Sequence, residues 1–317
     1  MIRALSNSDT AVVFEDLLNK NDGVFIGRLG GSDTNVVYNY YKDTILQKKQ
    51  IDMKKYKNLI NILEEFNGYY DIIDDINNFH KFMKTMIECY KACDTLMVGV
   101  CIPPVNKYYL NKYGPEDELY DKFMLYLQNM DNLYIHSYSY IESMKPFLNF
   151  MCNTFGGKKI LIISPFEQTI NKQRAVLKNL LKNGTYPDFE LLTYNTPITY
   201  KYKDYTQYPH KNWFETADHI ATEINNIDFD IALMSCGSYA MYLGKTIKNS
   251  GRKAIYVGGV LQLFFGIMGR RYDSEGMRVF LSSMFNLEHF VYPIETPKYI
   301  KDADKSGQKT EGFFAYF

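Results

Sequence analysis

The chain is short of several things, and each shortage excludes a class of protein. One tryptophan, ten prolines and five histidines are spread over 317 residues. The five cysteines, Cys89, Cys93, Cys101, Cys152 and Cys236, are odd in number and lack CxxC spacing. That excludes a disulfide framework or a zinc ribbon and points to a reducing compartment. Neither sign of charge is in excess, because Lys plus Arg and Asp plus Glu are both 36. Nothing in the balance therefore calls for a nucleic-acid partner. Long apolar runs are missing as well: the best candidate, near residues 96–105, is interrupted by Pro103 and Pro104, so no transmembrane segment is expected. The first twenty residues carry acidic side chains where a secretory leader needs an apolar core. The expectation is a cytoplasmic enzyme or binding protein, one domain over residues 1–317, large enough to bury a sizeable core. The 28 tyrosines accompany abundant Lys, Asn and Ile, whose codons are A/T-rich, and carry no functional weight as a group.

Short apolar runs alternating with helical patterns organise the rest. Residues 229–234 read as a buried strand that ends in Ser235, Cys236, Gly237 and Ser238. A helix follows with Ala240, Leu243 and Ile247 on one face, Ser238 as its cap and residues 249–251 as its stop. Residues 253–257 form a second strand ending at Gly258 and Gly259, so the unit is a β-α-β crossover with parallel strands. Further strands are expected at 23–27, 95–102, 133–136, 159–163 and 190–194. Helices are expected at 10–18, at 116–130 and from Trp213, with Ala217, Ile220 and Ile224 inward. Six or seven strands alternating with helices predict an α/β, Rossmann-like sandwich with a mostly parallel central sheet. Residues 54–92 read as a helical insertion, 195–210 as a lid-length polar loop, and 301–317 as a polar segment whose aromatic end docks on the body.

Two parallel strands that both finish in small residues leave backbone N–H groups at the carboxyl edge of the sheet, where α/β folds bind anions. The run Gly27-Arg28-Leu29-Gly30-Gly31-Ser32-Asp33 is a second such place. A pyrophosphate fits there through Arg28 and the loop amides, or through a divalent ion on Asp33. The alternative is an ordinary β-α turn with Ser32 or Asp33 as the N-cap. His136 and Glu142, at the end of the 133–136 strand, are candidate general bases or plain capping and core residues. His80 has no ligand partner at i+4 and reads as a packing histidine. Beyond Gly259 come Gln262, Gly266, Gly269, Arg270 and Arg271, which place two guanidinium groups past an apolar helix.

Together these residues resemble the GT-D fold glycosyltransferases. That family pairs an R-x-G-x-x-E motif near the N-terminus with a distant C-G-A-Y-G and a G-G-x-x-Q-x-x-F-G-x-x-G-x-R-W run. The first is matched by Arg28, Gly30 and Asp33. The second is matched by Cys236, Gly237, Ser238 and Tyr239, then by Gly258, Gly259, Gln262, Phe265, Gly266, Gly269, Arg271 and Tyr272. An intervening H-P-F-x-x-S-I-x-x-Q element looks like Ser164, Pro165, Phe166, Thr169, Ile170 and Gln173. The similarity runs from about Val24 onward.

The resemblance implies a Rossmann-like sandwich that moves a hexose or pentose from a nucleotide-diphosphate sugar, UDP-linked or other, to a hydroxyl of a glycan or glycoprotein. It leaves room for a homodimer. It implies Mn²⁺ or Mg²⁺ held by Asp33, and catalytic roles for Asp33 and Glu167. Donor binding would fall to Arg28, Gly30, Gly31, Ser32, Ser164, Cys236, Gly237, Ser238, Tyr239, Gly258, Gly259, Gln262, Arg270 and Arg271. The chain departs from the pattern in four places. Gly31 stands where the family often has an aspartate, Asp33 replaces its glutamate, Ser164 its histidine and Tyr272 its tryptophan. Arg28, Arg270 or Arg271 are alternatives to a metal for neutralising the diphosphate. The base stays open among Glu167, Asp33, His136 and Glu142. An inactive nucleotide-sugar-binding relative is the first alternative. A nicotinamide-dependent oxidoreductase is disfavoured, since no strand is followed by GxGxxG with an acidic residue about twenty positions on.

Overall fold

The apolar runs pair into one sheet. A computed structural model describes residues 2–50, 53–98, 115–128, 133–136, 144–182, 184–200, 206, 208–296 and 317. Its strands are β1 (Ile2–Ala4), β2 (Val24–Leu29), β3 (Thr95–Val98), β4 (Leu133–His136), β5 (Lys159–Ser164), β6 (Glu190–Asn195), β7 (Ile231–Met234) and β8 (Lys253–Tyr256). They lie in the order β1-β4-β3-β2-β8-β7-β5-β6, and every neighbouring pair is parallel. The sheet thus has eight strands, more than the expected six or seven. The added edge strand is the tripeptide Ile-Arg-Ala, too short to carry a periodic signal.

The main helices are α1 (Asn7–Leu18), α2 (Gly31–Tyr40), α3 (Met53–Phe66), α4 (Ile76–Ala92), α5 (Pro115–Gln128), α6 (Met144–Thr154), α7 (Glu167–Gln173), α8 (Leu177–Leu180), α9 (Trp213–Asn225), α10 (Tyr239–Asn249) and α11 (Glu275–Ser282). Alternation along each strand divides the core into two layers. Phe25, Leu29, Leu161, Ile163, Ala232 and Met234 point to one face, against α2, α3, α4, α5, α9 and α10. Val24, Ile26, Ile160, Ile162, Ile231 and Leu233 point to the other, against α1, α6, α7, α8, α11 and the 3-10 segment Gly259–Phe265. Because both faces are covered, the strands read as continuous apolar runs. Each crossover toward the β1 edge passes over the first face and each toward the β6 edge over the second, as a single crossover hand requires.

The 54–92 stretch, expected as an insertion, supplies two of the helices that close the first face, with Leu63, Phe79, Phe82 and Met86 buried. Gly68, at φ +76°, turns the chain after α3. Asp75 caps α4 by accepting from the Asn77 amide at 2.9 Å. Tyrosines fill this layer: Tyr40, Tyr56, Tyr69, Tyr70, Tyr90 and Tyr239 are among the largest buried side chains. Of the aromatic end, Phe317 lies edge-on to Phe166 at 5.4 Å, while residues 297–316 are outside the described ones. Among the described residues, no helix is long and apolar enough to cross a membrane.

With all strands parallel, every carboxyl strand end lies on one edge of the sheet. Four adjacent strands, β2, β8, β7 and β5, therefore deliver Arg28 and Gly30, Gly258, Cys236 and Ser164 to the same edge. The chain leaves β2 and β7 toward β1 but leaves β5 toward β6, and this divergence opens a crevice at the carboxyl ends.

Candidate functional site

Strand β2 runs through Leu29, so Arg28 is its penultimate residue and half-buried, rather than part of a turn. The N-cap position of α2 is Gly30, and no side chain caps it; neither Ser32 nor Asp33 is the cap. Asp33 lies in the first helical turn, 3% exposed, where the helix dipole favours a negative charge. Its carboxylate folds back on Gly30. A Cβ on Gly30 would lie 2.4 Å from Asp33 Oδ1 and 3.3 Å from Arg28 Nη1, so the two charges face each other across the space a side chain would fill. The Tyr90 hydroxyl donates to Asp33 Oδ2 at 3.1 Å. Burial raises the Asp33 pKa above its ordinary 3.8, and the opposing pulls of Arg28 and then Tyr90 are smaller.

Arg28 also reaches across to the neighbouring strand. Parallel pairing of β2 with β8 sets Phe25 beside Ala254 and Ile26 beside Ile255, which brings Arg28 to the loop after β8. There Gly258 adopts φ +80°, and a Cβ on it would lie 3.0 Å from Arg28 Cζ. The guanidinium also sits 5.7 Å from the Tyr256 ring centroid, within cation–π range. The expected row of open amides is partly spent, since Val257 and Gly258 both donate to the Met234 carbonyl at 3.1 Å. Gly259 is half-buried behind them; at the first turn of α2, Gly31 is exposed and Ser32 half-buried.

The Cys236–Tyr239 stretch is packed, not open. Gly237 is at φ +59°, and a Cβ there would meet the Asn67 carbonyl oxygen at 2.5 Å. The Ser238 amide donates to the same oxygen at 2.9 Å. Ser238 Oγ accepts from the Trp213 indole at 2.8 Å and makes no cap hydrogen bond to α10, contrary to the sequence expectation. Tyr239 stacks on Trp213 with centroids 5.3 Å apart and planes within 3°. Its hydroxyl pairs with Thr199 Oγ1 at 2.9 Å, and Thr199 in turn donates to the Gly68 carbonyl at 2.7 Å. Burial pushes the Cys236 thiol far up and keeps it neutral. The first part of the expected lid, through Tyr200, is thus fastened over this motif; residues 201–205 and 207 lie outside the described ones.

Ser164 Oγ accepts from the Phe166 amide at 3.2 Å and closes the turn into α7. Glu167 Oε1 accepts from Thr193 Oγ1 at 3.0 Å, on edge strand β6. That strand is four places from β2, or ~19 Å at the usual strand spacing, so the structure does not bring Glu167 to Arg28. The Thr169 amide at the start of α7 donates to Glu295 Oε1 at 3.0 Å. Gln173 donates to the carbonyls of Gly266 at 3.1 Å and His289 at 2.8 Å, and Gln262 donates to that of Ile267 at 3.3 Å. Both glutamines shape the loop after β8. Arg270 and Arg271 occupy the single 3-10 turn Arg270–Tyr272, where the Arg270 amide donates to the Phe317 carbonyl at 3.2 Å. His136 ends β4 with its side chain outside the described residues, as is all of Glu142. His80 packs against Tyr40, its Nδ1 3.2 Å from the hydroxyl.

A cavity of about 430 Å³ opens at the end of β6, lined by Tyr194, Asn195, His210, Thr216, His219 and Glu223 among others. It lies at the β6 edge of the sheet, and β6 is four places from β2. Sequence reasoning missed Tyr90 and Tyr256. The position of Tyr256, two residues before the glycine pair, was a usable signal; Tyr90, on α4, gave none.

The donor set does not suit a resident Mn²⁺ or Mg²⁺. Such an ion usually takes one or two protein carboxylates with phosphate oxygens and waters. Here Asp33, the carboxylate beside Arg28 among the described residues, is desolvated, receives the Tyr90 hydroxyl and faces a guanidinium. Among the described residues, no three metal-ligating side chains gather anywhere.

No family model matches the chain, and no curated protein matches it. Among solved structures, a selenomethionine-substituted domain of unknown function 1792 is similar over 82% of this chain and 79% of its own, with 14% identity and a TM-score of 0.45. A second chain of that domain, described as having a distinct glycosyltransferase fold, matches over 81% and 78% with 13% identity and a TM-score of 0.43. A third, described as a new glycosyltransferase from Streptococcus sanguinis, matches over 82% of each chain with 12% identity and a TM-score of 0.44.

Proposed function

We propose that the chain is a glycosyltransferase that takes a sugar from a nucleoside-diphosphate donor to a hydroxyl of a glycan or glycoprotein, seating the diphosphate at the carboxyl edge where β2 and β8 adjoin. One observation carries the reading. Arg28 is held by Gly258, Tyr256 and Gly30 at the carboxyl edge of two adjacent parallel strands, next to the N-terminus of α2. Glycosyl transfer expels a diphosphate while positive charge builds on the anomeric carbon, so the largest demand on the protein is a preorganised cation and amide dipoles at the leaving group. Arg28 supplies the fixed charge and a planar fork suited to phosphate oxygens. Gly30 and Gly258 leave room for Arg28 and Asp33 to close against the backbone, and Gly31 is exposed at the first turn of α2. Asp33 orients the guanidinium from behind.

A reducing compartment such as the cytoplasm suits the four free cysteines among the described residues, three of them buried. Titration calorimetry with UDP, GDP and NAD, alongside an assay of sugar-nucleotide hydrolysis, tests the proposal. Nucleoside-diphosphate binding with turnover supports it. Binding without turnover identifies an inactive relative, and preference for NAD overturns it.

A further inference from the structure

We infer that this site neutralises the departing diphosphate with Arg28 and works without a divalent cation. The inference rests on the donor reading above and goes beyond it by assigning the counter-charge. A metal-using site of this kind needs carboxylates that project toward the phosphates and are free to coordinate. Asp33 does not: Oδ2 receives the Tyr90 hydroxyl at 3.1 Å, and Oδ1 faces Arg28 Nη1 across Gly30. Two residues before Asp33 the chain has Gly31, which offers no side-chain ligand. An ion placed on Asp33 would sit beside the guanidinium, cation against cation, in a pocket with little water to screen them. Tyr90 is buried with its own ionisation strongly suppressed, first by desolvation and then by the Asp33 charge, so it stays a hydrogen-bond donor to that carboxylate.

Arg28 meanwhile stands at the carboxyl edge where β2 meets β8. It bridges the end of β2 and the loop after β8, and it is enclosed on three sides: a Cβ on Gly258 would lie 3.0 Å from its Cζ, the Tyr256 ring centroid is 5.7 Å away, and Asp33 faces it across Gly30. A guanidinium so placed gives a diphosphate two parallel N–H donors and a full charge with no exchangeable ligand. Asp33 is in this arrangement a positioning residue for Arg28.

The test is calorimetric binding of UDP and GDP to the full chain in EDTA and again in excess Mn²⁺, with Arg28→Lys and Arg28→Ala compared and their folding checked by circular dichroism. The expected result is an affinity in EDTA within about threefold of that in Mn²⁺, weakened about tenfold or more by Arg28→Lys, since charge without the fork loses the bidentate bonds. Binding that appears only with Mn²⁺ overturns the inference while leaving the sugar-transfer reading intact. Unaltered affinity in a folded Arg28→Lys or Arg28→Ala protein also overturns it. No nucleoside-diphosphate binding in either buffer overturns the donor reading itself.

Discussion

Arg28 packs its guanidinium against Gly258 so closely that a Cβ on the glycine would lie 3.0 Å from Arg28 Cζ. Two residues far apart in the chain are adjacent because β2 and β8 are neighbours in the sheet. Gly258→Ala would force Arg28 aside and place a side chain at φ +80°. The expected cost is about 1–3 kcal/mol of stability from the strained backbone together with weakened nucleoside-diphosphate binding. Urea unfolding and calorimetry check the two effects separately.

Asp33 gives a pH signature. Its folded pKa is raised above the ordinary 3.8 because burial disfavours the charged form. A raised carboxylate pKa means the folded state holds its proton longer than the unfolded chain does. Its contribution therefore falls as pH climbs from 3.8 to the raised folded value, and stays low above it. Subtracting the stability–pH curve of Asp33→Asn from that of the wild type should leave this decline. A flat difference across that range would remove the buried-charge argument.

The single tryptophan reports on the Cys236–Tyr239 turn. Trp213 donates its indole N–H to Ser238 Oγ at 2.8 Å and is fully buried. Ser238→Ala strands that donor and should cost about 1–3 kcal/mol. The emission of the one indole should shift in the same variant, with nucleotide affinity changed less than by Gly258→Ala.

Gln173 holds two carbonyls from separate segments, those of Gly266 and His289. Its replacement by Ala takes a donor from the His289 carbonyl, while Gly266 keeps the Val291 amide at 2.9 Å, and a loss of roughly 1–3 kcal/mol follows. Hydrogen exchange should quicken first in 259–269 and 287–291.

Glu167 is the sharpest test of the site boundary. A general base contributes about 10²–10⁴ in rate. With Glu167 placed against Thr193 at the β6 edge, away from Arg28, Glu167→Gln should lower turnover by less than about tenfold. A loss of a hundredfold would put the reacting centre nearer β5 than β2.

Some of this was legible beforehand. The apolar runs at 159–163 and 231–234 announce strands because they are buried on both faces and need no alternation to be seen. The Gly258-Gly259 pair marks a special backbone, and Arg28 and Asp33 stand out as charges beside glycines. The roles of Ser164, Ser238, Gln173 and Gln262 were not legible, since a polar side chain inside a motif looks the same whether it faces a ligand or the protein's own carbonyls. The partners of Ser238 and Gln173 lie on other segments, and only packing chose them.

The sequence by itself determined the layers: which residues are strands, which are crossover helices, and which strand ends are rich in glycine, because burial and local backbone preference act over a few residues. Tertiary structure alone decided which of those ends could work together. Strand order set β8 between β2 and β7, giving Arg28 its contact with Gly258, and the fold of residues 67–70 and 196–200 closed the Cys236–Tyr239 turn. Both outcomes depend on the energy of bringing distant segments into one packed arrangement, which no local pattern encodes.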